Sequence, residues 1–280
     1  MSSSTQAIDI SKVNADRQIT VEDHVAVEEP LEIQIGAASA ADAAAKSISI
    51  TMRTPGHDVE LALGFLYTEA IITGAHQVRA ADLSGPVDAK TGLRNIVRIE
   101  LETDVQLDLG RLQRNFYTTS SCGVCGKSSI SALRVSGCTS LADIGATYSR
   151  KLVMALPDKL LQQQRLFSKT GGLHAAAVFD QRGEIVCIRE DVGRHNAVDK
   201  IVGALLLDKQ LPAANLGLLV SGRASFELVQ KALVAGLPTL VAVSAPSSLA
   251  VELASEYDMT LIGFLRDGKF NIYTGNSRIN

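Results

Sequence analysis

The residues best suited to chemistry are Cys122 and Cys125, in the run Ser120-Ser121-Cys122-Gly123-Val124-Cys125-Gly126-Lys127. The Cys-x-x-Cys spacing lets both sulfurs face one point in a tight turn, which suits a metal, a disulfide or a reactive thiol. A glycine after each cysteine removes side-chain bulk and permits positive φ, so a partner can approach the sulfurs closely. Lys127 adds a positive charge. Ser128 is placed to cap a short helix over Ser129–Arg134, which sets Cys125 just ahead of a helix N-terminus. Both features favour the thiolate, the nucleophilic form of cysteine.

A second constellation lies in the C-terminal half. Polar, glycine-bearing segments recur there wherever a strand gives way to a helix. They are Thr170-Gly171-Gly172-Leu173-His174, Glu190-Asp191-Val192-Gly193-Arg194-His195-Asn196, Ser221-Gly222-Arg223-Ala224-Ser225 and Ser244-Ala245-Pro246-Ser247-Ser248, with Arg266, Gly268 and Lys269 in a final hairpin. In an open α/β sheet, ligands bind outside the carboxyl ends of the parallel strands. Helix N-termini there offer free N–H groups to anions, and arginine forks match phosphate oxygens. The expected ligand carries phosphate and is most simply a nucleotide. None of the loops is a Walker A sequence or a dinucleotide fingerprint.

The elements that must position these residues read as two units. Residues 1–20 are expected to be a flexible tail. Residues 21–120 read as a small α+β domain. Its strands alternate over Leu31–Ile35, Ser47–Met52 and Val97–Glu102, and a helix is capped by Thr54 with Pro55 at its first position. Gly85-Pro86 and Thr91-Gly92 mark a loop. Residues 121–135 form the cysteine loop at the junction. Residues 136–280 read as a larger domain, with a helix beginning at Pro157 and a hairpin of His174–Phe179 with Glu184–Arg189. Helices at 194–207, 225–235 and 248–257 then alternate with strands at 216–220, 239–243 and 259–264, and a last strand covers 270–274. Continuous apolar strands fit a parallel sheet covered on both faces, giving a three-layer α/β/α arrangement.

Composition narrows the function classes. The chain has 280 residues, 46% hydrophobic and 20% charged, which suits a soluble globular protein with substantial cores. A net charge of −3 offers no basic excess for a duplex, and the lack of Trp argues against a base-stacking platform, so no nucleic acid is expected. The uncharged run Ala232–Val251 is broken by Gly236, Pro238 and Pro246, so no membrane span is expected either. A cytoplasmic location is expected, where cysteines stay mostly reduced; this turns the Cys-x-x-Cys toward metal or catalysis. Structural zinc needs four ligands, and Cys138 and Cys187 do not form a second pair, although His174 or His195 can complete a mixed site. A zinc deaminase needs His-x-Glu followed by Pro-Cys-x-x-Cys. No histidine here is followed two residues later by glutamate.

Several long motifs together resemble the formate dehydrogenase accessory sulfurtransferase family, FdhD. They are Glu28-Glu29-Pro30-Leu31, Met52-Arg53-Thr54-Pro55-Gly56, Leu61-Ala62-Leu63-Gly64-Phe65-Leu66, Cys122-Gly123-Val124-Cys125-Gly126, Glu190–Lys200 and Ser221–Glu227, and the resemblance runs from Val21 to Gly275. It implies a sulfurtransferase that accepts sulfur from a cysteine desulfurase and passes it to molybdenum bis(molybdopterin guanine dinucleotide), the cofactor of the formate dehydrogenase catalytic subunit. It implies Cys122 as the persulfide carrier with Cys125 as its helper, no protein-ligated metal, and a larger domain like cytidine deaminase without zinc. The family's cofactor segment falls on Phe264, Leu265, Arg266, Asp267, Gly268 and Lys269, with Leu265 acting through its backbone. His174, Gly193, Arg194, His195, Ser221 and Arg223 complete the expected cofactor site. A homodimer is compatible with this reading.

Overall fold

Alternating apolar residues start the chain as a strand almost at once. β1 (Thr5–Val13) pairs antiparallel with β2 (Gln18–Ala26), Ile10 opposite Val21, in a sheet of their own. The computed structural model describes residues 4–37, 45–103, 105, 140–142, 144 and 146–280. The tail expected over residues 1–20 is therefore corrected from residue 5 onward. Its polar opening hides a hairpin signal, because Asn14 Oδ1 accepts from the Asp16 and Arg17 amides and closes the turn.

A second sheet follows, built from β3 (Glu29–Ala37), β4 (Lys46–Arg53), β5 (Val78–Val87) and β6 (Arg94–Leu101) in the order β4-β3-β6-β5. β3 and β6 run parallel and the other neighbours antiparallel. Leu31, Ile33, Ile35, Val97 and Ile99 pack against Leu61, Leu63 and Leu66 of helix α1 (Asp58–Thr68). That helix starts later than its sequence suggests. Its N-cap is His57, in the left-handed region at φ 59°, and Thr54 lies fully buried before it. Gly85-Pro86, expected in a loop, end β5 beside a register shift.

The largest sheet takes the rest of the chain. Helix α2 (Arg150–Gln163) is capped by Ser149, which accepts from the Leu152 amide; Pro157 sits inside it rather than at its start. A short helix, α3 (Phe167–Thr170), leads into β7 (His174–Phe179) and β8 (Ile185–Asp191). Then come α4 (Arg194–Leu207), β9 (Gly217–Val220), α5 (Phe226–Val234), β10 (Thr239–Ala242), α6 (Ser248–Glu256), β11 (Thr260–Arg266) and β12 (Lys269–Thr274). The order is β12-β11-β10-β9-β7-β8. Strand residues alternate between two cores. Ala176, Val178, Leu218, Val220, Leu240 and Leu261 pack with α4, α5 and α6. Ala177, Phe179, Leu219, Val241 and Ile262 face α2 and Tyr148. The protein is thus a mixed α/β structure with helices on both faces of its main sheet.

The two larger sheets meet through α1 and α4, at two glycines. A Cβ on Gly64 would lie 1.8 Å from the Asp199 carbonyl oxygen, and one on Gly203 would lie 1.8 Å from that of Glu60. Neither obstacle is a side chain that can swing away, so a single methyl must push the helices apart. Gly64→Ala and Gly203→Ala should each destabilise the protein by about 1–3 kcal/mol or more. A fall in the urea midpoint at constant slope would show it; an unchanged midpoint would contradict the contact.

Candidate functional site

Strand direction brings the glycine-bearing loops together. β9, β10 and β11 are parallel, β7 is antiparallel to β9, and β8 is antiparallel to β7. The carboxyl ends of β8, β9, β10 and β11 and the start of β7 therefore share one edge. Cross-links hold the loops there. The Ala175 amide donates to Ser221 Oγ at 2.9 Å and the Ser221 amide to the Ala175 carbonyl at 3.0 Å. The Ser244 amide reaches the Gly222 carbonyl and the Phe264 amide reaches the Ser244 carbonyl. His174 lies so close to Gly222 that a Cβ there would stand 3.3 Å from Nδ1.

A buried carboxylate locks this edge to the smaller sheet. Asp191 is wholly buried and meets Lys200 Nζ at 2.7 Å. It also accepts from the amides of Thr54 (3.1 Å) and Gly193 (2.8 Å) and from Asn196 Nδ2 (3.0 Å). Lys200 donates on to the Thr54 carbonyl, Asn196 to the Met52 carbonyl, and Thr54 Oγ1 accepts from the Val192 amide. Glu190 receives the Leu166 and Phe167 amides and so fixes the turn that leads to His174. A parallel knot joins Lys231 to Asp199 at 2.8 Å and to Thr68 at 2.9 Å.

With Asp191 and Glu190 committed elsewhere, the arginines and Lys269 at the sheet edge form no ion pair among the described residues. Arg223, Arg266 and Lys269 are exposed, and Arg194 and His195 are half-buried. Among the described residues, the buried atoms Arg194 Nε, His195 Nε2 and Ser225 Oγ have no hydrogen-bond partner. Neither Gly193 before α4 nor Ser225 before α5 caps its helix through a side chain. Burial pushes the His174 imidazole below its usual range, and the charges of Arg194, His195 and Arg223 push it the same way against Asp191. His174, two helix N-termini without a side-chain cap and unsatisfied donors thus gather at one end of the sheet, a set of groups of the kind that suits an anion.

The last hairpin flanks this edge. Phe264 (φ 54°), Asp267 (φ 55°) and Gly268 (φ 68°) take left-handed conformations, with a register shift between Gly263 and Arg266. The shift turns Leu265 into the core beside Val241 and Ile262, 1% exposed, while the Arg266 guanidinium lies 5.7 Å from the centre of the Phe264 ring. Gly193, Arg194, His195, His174, Ser221 and Arg223 thus share one edge with Phe264–Lys269. Cys122, Cys125 and Cys138 lie outside the described residues. Cys187 is half-buried in β8, and burial raises its thiol. Among the described residues, no group of three or more His, Cys, Asp or Glu is arranged to hold a metal, and no helix is long and apolar enough to cross a membrane.

Sequence reasoning missed the partners of the motif residues. Asp191 pairs with Lys200 and Asn196 rather than with an arginine, and Glu60 of α1 binds Arg189 of β8 at 2.5 and 2.8 Å. Burial pushes Glu60 up, but the bonds and charges of Arg189 and His57 prevail and hold its carboxyl at about 2.

The fold is that of a mixed α/β protein whose glycine-bearing loops and several cations gather at the carboxyl edge of its main sheet. A model of the FdhD/NarQ family matches residues 26–280, and the chain belongs to that family. It is 48% identical over 259 residues to the sulfur carrier protein FdhD of Streptomyces avermitilis, covering 92% of this chain and 89% of that one. To its namesake in Mycobacterium tuberculosis it is 45% identical over 276 residues, 96% of each chain. The archaeal protein of the same name from Saccharolobus solfataricus is 41% identical over 271 residues, covering 97% of this chain and 96% of that one. Among solved structures, a putative formate dehydrogenase accessory protein from Desulfotalea psychrophila superposes with a TM-score of 0.74 at 22% identity, covering 99% of both chains. That likeness is one of fold.

Two predictions follow from the buried charges. Asp191→Asn leaves the Lys200 ammonium buried without its counter-ion and should cost about 3–5 kcal/mol in urea unfolding; Lys200→Met leaves Asp191 three N–H donors and should cost less. Equal losses would deny that the charge pair matters. Because the folded Glu60 carboxyl titrates near 2 against an ordinary 4.5, its contribution is complete above about pH 4.5. It should be lost as pH falls from there toward 2. Glu60→Gln should flatten the acid limb of the stability profile in that window, and an unchanged limb would refute the assignment.

Proposed function

We propose that this protein is a sulfur carrier in the maturation of formate dehydrogenase. The reading rests first on family membership, with relatives named sulfur carrier protein FdhD at 40–48% identity over most of the chain. In the proposed reaction, the Cys122 thiolate attacks the outer sulfur of a persulfide on a cysteine desulfurase. A new S–S bond forms at Cys122, the old one breaks, and the donor cysteine leaves as a thiolate. Delivery to molybdenum bis(molybdopterin guanine dinucleotide) breaks the new bond. If the metal supplies the two electrons, it gains a sulfido ligand and Cys122 returns as a thiolate. If Cys125 attacks Cys122 instead, the outer sulfur leaves as hydrosulfide and a disulfide remains.

The crevice supports the second half of this reading, because its groups fit a phosphate-bearing cargo. Neither Gly193 nor Ser225 caps its helix through a side chain, Arg194 Nε and His195 Nε2 lack a hydrogen-bond partner among the described residues, and Arg223, Arg266 and Lys269 are exposed at the same end of the sheet. Leu265, with its side chain in the core, has only its backbone to offer. A layer arrangement like that of cytidine deaminase, a cytoplasmic location, the formate dehydrogenase catalytic subunit as recipient and a homodimer belong to the same proposal. The cargo's metal is carried and needs no ligand set from the protein.

Incubation with a desulfurase and cysteine should add one sulfur to the Cys122 peptide in mass spectra. Cys122→Ala should abolish formate dehydrogenase activation in cells while the protein still folds. A sulfur found on another cysteine would overturn the assignment to Cys122, and activation kept without Cys122 and Cys125 would make the protein a cofactor-holding chaperone.

A further inference from the structure

Besides Asp267 in the exposed last turn, a second carboxylate stands at this cationic edge. Glu227, in the first turn of α5, is 23% exposed, with its Oε2 3.9 Å from His195 Nε2, longer than a hydrogen bond. Burial pushes this carboxyl up, but His195 and the helix's own amide outweigh it and bring it to about 2. The group is therefore a full carboxylate beside the cationic groups of this edge. It repels phosphate oxygens, so the part of a ligand that meets it has to donate. A carboxylate's two oxygens are best satisfied by two parallel N–H bonds. A ring N–H beside an exocyclic amino group offers that pair. The 2-amino-4-oxopyrimidine edge has it; adenine, with a ring acceptor in that place, does not.

We propose that Glu227 reads the 2-amino-4-oxopyrimidine edge of the ligand bound in this crevice, and so sets its specificity. The inference rests on the reading of the crevice as the site of a guanylated pterin cofactor. Guanine and pterin share this edge, so the same carboxylate chemistry admits either end of the cargo. His195 Nε2 and Arg194 Nε, without hydrogen-bond partners among the described residues, remain to hold neighbouring acceptor atoms, such as a ring carbonyl or phosphate. Neutralising the carboxylate would do more than weaken one bond. A glutamine amide turned toward the ring N–H sets donor against donor.

Calorimetric titration of the full-length protein with GDP, IDP, ADP and neopterin tests this, in the wild type, Glu227→Gln and Glu227→Asp. Inosine lacks only the 2-amino group. If the edge read is guanine, the wild type should bind GDP roughly 10-fold or more tightly than IDP or ADP, as loss of a donor to a charged acceptor implies. Glu227→Gln should then erase the preference for GDP over IDP, and Glu227→Asp should keep part of it. If the edge is pterin, Glu227→Gln should weaken neopterin by a similar factor and leave GDP unchanged. Unchanged affinities for both ligands in Glu227→Gln would overturn the proposal. So would an equal loss for GDP, IDP and ADP with a lowered thermal midpoint, which would make Glu227 a helix-capping residue. A wild type that binds GDP and IDP alike and ignores neopterin would sink the role of Glu227 but leave the crevice reading intact. A wild type that binds none of the four would remove both.

Discussion

The structure depends on a carboxylate that never meets solvent. Asp191 ends an edge strand of the main sheet, yet its bonds run to Lys200 in the following helix, to Asn196 one turn in, and to Thr54 just beyond the smaller sheet. An ionised side chain at full burial is tolerable only with a partner charge and several donors. Those requirements dictate the surroundings. The segment Met52–Gly56 has to lie against the segment Glu190–Asn196, because each supplies atoms the other cannot replace. Arg53 follows the same logic on its own side, buried and held by Asp58 and Asn95. Asp199, joined to Lys231 and Thr68, repeats it at the far end of α1.

These commitments explain why the opening at the strand ends is cationic. Asp191 and Glu190 are taken up by the buried framework, so Arg194 is not neutralised by the nearest carboxylates in sequence. The glycine contact between α1 and α4 has a related effect. It brings the helix backbones together at Gly64 and Gly203, and the N-terminus of α4 is held from behind by the smaller sheet through Asn196. The amides at that terminus are thus fixed in direction before a ligand arrives, which reduces the ordering cost of binding an anion.

Much of this was legible in the sequence, for reasons that can be located. Helix α4 begins at Arg194 and ends at Leu207 as its periodicity suggests, and the short apolar strands β9 and β10 stand out because both faces are covered. The gathering of the loops follows from strand order alone. Thr54-Pro55 misleads because a threonine before proline is a good local cap, whereas Thr54 serves Asp191 and Val192 across more than 130 residues of chain. Pro157 misleads in the same way, since Ser149 caps the helix eight residues earlier. Pairings such as Arg189 with Glu60 leave no mark in a single chain, because both residues look like ordinary surface charges until the helix and strand are brought together.

The final hairpin shows how the framework and the site share one device. Regular alternation along β11 would turn Leu265 to the face that Leu261 shares with α4, α5 and α6. The register shift instead places Phe264 in a left-handed conformation and Leu265 in the core. A non-glycine residue in that region is strained, and burial of Leu265 against Val241 and Ile262 supplies the compensating free energy. What the strain achieves is position: the backbone around Leu265 is anchored from beneath, while Arg266 and Lys269 project from an exposed turn on either side of Asp267 and Gly268. Apolar packing on one face of the sheet thereby sets where cationic groups stand at its edge. The packing of Leu265 and the placement of Arg266 and Lys269 are therefore linked through one short stretch of backbone.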